Sequence, residues 1–174
     1  MKNKMTLKVL VLFVALIVTN LTYAQNKTVV DIAVGSSDHT TLVAAVKAAD
    51  LVNTLSSDGP FTVFAPTDAA FKKLPAGTLD MLLKPENKDQ LKNILIYHVI
   101  SGMSDGNAVV KAIQDGKGKA VFTTVSGEKI TAMLDGVQIK LKDKAGNVYH
   151  VTVANLKASN GVVHVIDGVL MPKK

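Results

Sequence analysis

The chain has 174 residues, with 20 lysines, no arginine and 14 acids, for a formal charge of +6. That length suits one domain, with or without a leader. Phosphate and guanine recognition favours the planar guanidinium fork, so an all-lysine complement argues against nucleic acid as a partner. The absence of cysteine excludes a disulfide scaffold and a lipid anchor made through a thiol.

Lys2, Lys4 and Lys8 precede the apolar run from Val9 to Val18, and Ala24 is a small residue suited to cleavage. This is the layout of a secretory signal peptide over residues 1–24, leaving a mature domain over 25–174. The run falls short of the roughly 20 apolar residues of a membrane span, so no span is expected after cleavage. Removing the leader leaves seventeen lysines against fourteen acids, a balance of +3, which reads as solvated surface. A chain of this mature size buries roughly 68–70% of its unfolded surface and needs no disulfides. The expected destination is the periplasm, the cell surface or the medium, and the short leader fits a bacterial source.

In the mature chain, Asp31 is placed to cap a short turn through Ile32–Val34. Leu42, Ala45, Val46, Ala49 and Leu55 fall near helical spacing, which predicts a helix over Thr40–Leu55, ended by the turn cluster Ser56–Pro60. Phe61–Ala65 has the β-branched and aromatic content of a strand, and Pro66 has no N–H with which to continue it. Thr67 is the expected N-cap of a helix over Ala69–Lys73, with Asp68 in its first turn. Pro75 opens a short helical segment carrying Leu79, Leu82 and Leu83. Leu91, Ile94, Leu95 and His98 recur at i, i+3, i+4 and i+7, which predicts a helix over Glu86–Val99 with His98 on its apolar stripe.

After a loop over Ser101–Asn107, Val109, Val110 and Ile113 suggest a further short helix. Val121–Val125 reads as a strand. Two alternating runs around Asp135-Gly136 then predict a hairpin that includes Val137, Ile139 and Leu141. Val148–Ala154 and Val162–Leu170 complete the strands. The last is almost continuously apolar, as a strand covered on both faces would be, with His164 and Asp167 interrupting it. Helices gather early and strands late, which argues for α+β.

Three ordered segments carry a resemblance. Thr62-Val63-Phe64-Ala65-Pro66-Thr67-Asp68-Ala69-Ala70-Phe71, the pair Tyr97-His98, and Asn160 to Asp167 followed by Val169-Leu170-Met171-Pro172 closely resemble the conserved boxes and the Tyr-His pair of the fasciclin domain family. The similarity runs from about Thr28 to Pro172. It implies a β-sandwich or wedge of about seven strands flanked by several short helices. It also implies an extracytoplasmic interaction module, acting as a monomer in adhesion, matrix association or scaffolding with a protein or glycan partner. No catalytic activity or cofactor comes with the family. Adhesion-linked contacts of animal members correspond to Tyr97-His98 and to Asn155-Leu156. The latter stands where those members carry Asp-Ile, so the carboxylate that integrin-type binding uses is missing.

Other chemistry fails on spacing. His39, His98, His150 and His164 lack the pairings of a zinc site, and no metal is expected. Lys117-Gly118-Lys119 lacks the glycine and the hydroxyl of a phosphate loop, and no Gly-x-Ser-x-Gly elbow exists. His98 is read chiefly as a core histidine bonded to backbone or to a carboxylate such as Asp68 or Asp167. An alternative function is the binding of a small lipid or glycan in an apolar pocket between sheet and helices.

Overall fold

The computed structural model describes residues 27–172, so the expected signal peptide lies outside the described residues. Seven strands form one sheet: β1 (Phe61–Pro66), β2 (Val99–Ser101), β3 (Lys119–Thr123), β4 (Lys129–Asp135), β5 (Gln138–Lys142), β6 (Val148–Ala158) and β7 (Gly161–Ile166), in the spatial order β2-β1-β7-β6-β5-β4-β3. Only β1 and β7 run parallel, in register from Phe61 opposite Gly161 to Pro66 opposite Ile166. The two ends of the sheet approach each other. Ile100 bridges Thr124, and the Val125 N–H donates to the Val99 carbonyl at 2.7 Å. The α+β class and the seven strands match expectation, and the sheet curls nearly closed on itself.

The described helices are α1 (Val29–Val34), α2 (Thr40–Ala48), α3 (Val52–Ser56), α4 (Asp68–Lys72), α5 (Thr78–Leu82), α6 (Lys88–Tyr97) and α7 (Gly106–Asp115), with 3-10 turns at Ser37–His39 and Pro85–Asn87. Thr28 starts α1 through a capping box, its hydroxyl accepting from the Asp31 N–H while Asp31 accepts from the Thr28 N–H. Asp31 is thus the reciprocal partner inside the helix rather than its cap. Asp68 reaches away from its own helix to the start of α2, accepting from the Thr40 hydroxyl at 2.6 Å and the Thr41 N–H at 2.7 Å. These bonds hold its carboxyl down at about 2.

Several predicted boundaries differ: β3 runs over Lys119–Thr123 rather than Val121–Val125, β6 continues to Ala158 rather than Ala154, and β7 stops at Ile166 rather than Leu170, which leaves Asp167 outside it. The expected helix over Thr40–Leu55 is two helices, because Asp50 turns to φ +54° and the Leu51 N–H closes back on Val46. In one continuous helix Val46 and Leu51 would sit about 140° apart around the axis; the break lets both be buried. The helix predicted over Glu86–Val99 is a 3-10 turn followed by α6, and Val99 already belongs to β2. In the late hairpin Asp135 pairs with Gln138, so the two-residue link is Gly136-Val137. Gly136 supplies φ +60°, and Val137, expected in the strand, is 98% exposed at the tip.

All six residues of β7 are buried, as its apolar run requires. One face of the β1–β7 pair, with Ala65 and Val163, packs under the helices against Leu42, Ala45, Val46 and Leu95. The other, with Phe64 and Ile166, fills the curled sheet beside Tyr97, Ile130, Leu141 and Leu170. Each fully buried aliphatic side chain contributes roughly 1.5–3 kcal/mol, and the chain therefore has two cores sharing the parallel pair as their wall.

Candidate functional site

Tyr97 and His98 close α6 and point into the protein; they are 0% and 2% exposed. The Tyr97 hydroxyl donates to the Lys129 carbonyl and accepts from the Lys144 N–H, both at 2.9 Å. It thereby ties α6 to the start of β4 and to the turn after β5. The Leu170 N–H donates to His98 Nε2 at 2.9 Å, which places the ring proton on Nδ1, where it is donated to the Ile94 carbonyl at 2.8 Å. The imidazole must be neutral to do both. Burial pushes its pKa down to about 4. Its partners are backbone groups. Neither Asp68 nor Asp167, the carboxylates considered from sequence, bonds to it; Asp167 instead accepts from the His150 N–H and lies 3.6 Å from the Lys73 ammonium.

His164 has the opposite tautomer. The Asn155 N–H donates to its Nδ1 at 3.3 Å, so Nε2–H donates to the Ser104 carbonyl at 2.9 Å. The ring is stacked on Phe64, with centroids 5.7 Å apart, and burial lowers its pKa. Two histidines in two neutral tautomers thus satisfy backbone groups of helix, loop and strand.

Asn155 and Leu156 sit where β6 departs from regular pairing, with register shifts between Val151 and Leu156. Asn155 is exposed and adopts φ +66°, a conformation that Asn tolerates better than most residues. Its Oδ1 accepts from the Gly106 N–H at 2.6 Å, holding the first turn of α7. Leu156 is half-buried and packs against the helical core. Val153, on the same strand, is 47% exposed, and Met103, three residues before Gly106, is 59% exposed. Thus of the four candidate interaction residues, Tyr97 and His98 lie inside, and Asn155 and Leu156 lie at a surface bulge with polar and packing duties of their own.

Sequence reasoning named Asn160 only as the start of the last segment of the resemblance and missed its bonds. Its side-chain nitrogen donates to the Leu55 and Ser57 carbonyls, and its Oδ1 accepts from the Val29 N–H. It thereby joins α1, α3 and the entrance to β7. The only local signal was an Asn-Gly dipeptide, which says nothing about partners more than a hundred residues away.

A second feature is a cavity of about 220 Å³ between α1–α3 and the sheet, lined largely by apolar side chains and including His98. Among the described residues no group of His, Cys, Asp and Glu could hold a metal ion. Ser36 and His39 come within 2.7 Å, but the Ser36 hydroxyl also accepts from the Asp38 N–H as the cap of the 3-10 turn. No carboxylate bonds to the other ring nitrogen of His39, so the pair lacks the orienting group of a nucleophile–base relay.

A nearly closed seven-stranded sheet with its first and last strands parallel, under a layer of short helices, defines the class of this protein. The family model for the fasciclin domain matches residues 37–172, and the chain belongs to that family. It is 49% identical over 147 residues to Protein sll1483 of Synechocystis sp., a match spanning 83% of this chain and 73% of the relative. It is 38% identical over 149 residues to the immunogenic protein MPB70 of Mycobacterium bovis, spanning 81% and 68% of the two chains. Among solved structures, a FAS1 domain pair from the insect cell adhesion molecule Fasciclin I superposes with a TM-score of 0.73 at 19% identity. That match covers 83% of this chain and 51% of the other. It speaks for the fold. Within the described residues no helix is long and apolar enough to cross a membrane.

Proposed function

We propose that this chain is an exported, non-catalytic interaction module that works as a monomer in surface adhesion, matrix association or scaffolding, with a protein or glycan partner. Membership of the fasciclin domain family, one of whose solved structures is a cell adhesion molecule, supports the reading. The observation that carries it is the exposed bulge of β6, where Asn155 bonds to Gly106 and the exposed Val153 and Met103 stand two and three residues along the chain from the ends of that bond. Singly exposed apolar residues are ordinary; two on segments that one hydrogen bond ties together are the candidates for a small contact face. The missing acid at Asn155 disfavours a metal-bridged contact of the integrin kind.

Deletion of the gene is the direct test. Cells lacking it are expected to attach less to a solid surface, and added purified domain to restore attachment. The double variant Met103→Lys, Val153→Lys should fail to restore it while keeping the parent's denaturation midpoint. Unchanged attachment on deletion overturns the adhesive reading.

One observation favours a second reading, the binding of a small lipid or glycan: the apolar hollow of about 220 Å³ under the helices. Defined ligand binding by the purified domain, together with normal attachment of the deletion strain, would favour it over adhesion.

A further inference from the structure

The hollow has an interior and a rim of different chemistry. Val29, Leu42, Val46, Leu55 and Val99 line the space, and His98 is the polar ring that reaches it. Both His98 nitrogens are already engaged by Ile94 and Leu170, so the histidine has no free ring donor or acceptor for a guest. A sugar would lose water from several hydroxyls and find few replacements. An apolar guest loses little and gains contact on every side. A cavity of about 150 Å³ takes up benzene, so one of this size suits an apolar body of roughly nine carbons.

At the rim stand Asp31, Lys47 and Ser56. Asp31 is engaged, its Oδ2 accepting from both the backbone N–H and the hydroxyl of Thr28. Lys47 is exposed and makes no salt bridge among the described residues. Neither charge has a salt-bridge partner among the described residues, but Asp31 Oδ2 already holds two donors, so the charged donor that the rim leaves free for a guest is the Lys47 ammonium.

The geometry points to a medium-chain carboxylate amphiphile as the ligand of this hollow, its hydrocarbon inside among Val29, Val46 and Val99 and its carboxylate at the Lys47 ammonium. This deepens the small-ligand reading and rests on it. The tail supplies affinity by burial, and the head supplies orientation and a modest preference.

Octanoate and octanol, titrated separately into the purified domain and followed by the methyl resonances of Val29, Val46 and Val99, separate the two layers of the inference. Octanoate is expected to shift those methyls and to bind roughly two- to fivefold more tightly than octanol, the range of an exposed ion pair. Lys47→Gln, a surface change, should bring octanoate down to the level of octanol without moving the denaturation midpoint. Equal binding of the two in the parent, or an unchanged preference in Lys47→Gln, overturns the assignment of the head group while leaving the hollow as a site. Failure of both to bind, or shifts confined to methyls elsewhere, overturns the hollow as a lipid site altogether. Val43→Phe adds an independent check: Val43 is half-buried in the lining, and a folded variant should bind neither compound.

Discussion

Consider the domain carried from about pH 7.5 to about pH 4.5, beside the variant His98→Gln. In the folded protein His98 must stay neutral, because Nε2 accepts from Leu170 while Nδ1–H serves Ile94, and its pKa is pushed down to about 4. In the unfolded chain it titrates near 6.5. Between those values the unfolded state binds the extra proton, so stability rises with pH. The contribution is complete above about pH 6.5 and drains away as pH falls toward 4. At pH 4.5 the two pKa values correspond to a loss of about 2.5 kcal/mol, against a total stability of roughly 5–15 kcal/mol for a domain. Asp68 lies outside this window, since its loss begins only near the ordinary carboxylate range and runs down toward about 2. The assay is urea denaturation followed by far-ultraviolet circular dichroism at several pH values. The parent midpoint should fall between pH 6.5 and 4.5. His98→Gln should start less stable, by about 1–3 kcal/mol for a disturbed buried hydrogen bond, and fall less steeply, its remaining fall coming from His164, whose pKa burial also lowers. Parallel curves for the two proteins would refute the reasoning.

His164→Ala removes a ring stacked on Phe64 and leaves the Ser104 carbonyl and the Asn155 N–H without a partner; a loss of about 1–3 kcal/mol is expected, read as a lowered urea midpoint. Tyr97→Phe keeps the buried ring but deletes the hydroxyl between Lys129 and Lys144, which should cost about 1–2 kcal/mol. Native-state hydrogen exchange of the Lys144 amide should quicken with it. Gly161→Ala is the severe case. A Cβ there would stand 2.0 Å from the Phe61 carbonyl oxygen, at the first pairing of the parallel strands, so a loss above about 4 kcal/mol or failure to accumulate as folded protein is expected. Wild-type stability of that variant would mean that β1 and β7 are not packed as described.

What could be read from the sequence was whatever periodicity records. The almost continuously apolar run of β7 announced burial on both faces, and the i, i+3, i+4, i+7 stripe put His98 inside. The curl of the sheet left no such trace, because closure depends on Ile100 meeting Thr124, which no local pattern encodes. The break after Ala49 was hidden for a different reason: apolar residues continue at roughly helical intervals to Leu55, yet Leu51 and Leu55 fall off the stripe of Leu42, Ala45, Val46 and Ala49, and burying them as well forces the turn at Asp50. Val137 was misplaced because hairpin signals fix the presence of a turn better than its register; Asp135 turned out to be the last paired residue, not the first of the link. At the candidate site, the resemblance marked Tyr97-His98 and Asn155-Leu156 but did not reveal their duties. Those duties are bonds to Leu170, Lys144 and Gly106, far along the chain and made to backbone groups that leave no signature in side-chain identity. The hollow was foreseen only as an alternative, since empty space has no residues of its own.

The parallel pairing of β1 with β7 has a consequence in time. About a hundred residues separate Phe61 from its partner Gly161, and β7 also completes the pairing of β6. Such distant pairing is slow to form, because a long loop must close before any contact rewards it. A growing chain therefore has no finished sheet until its last strand has been made: β1 lacks a neighbour on one side, and β6 does too. Until then the two parts of the sheet, β2-β1 and β6-β5-β4-β3, have no strand to join them, and the wall that both cores share is missing.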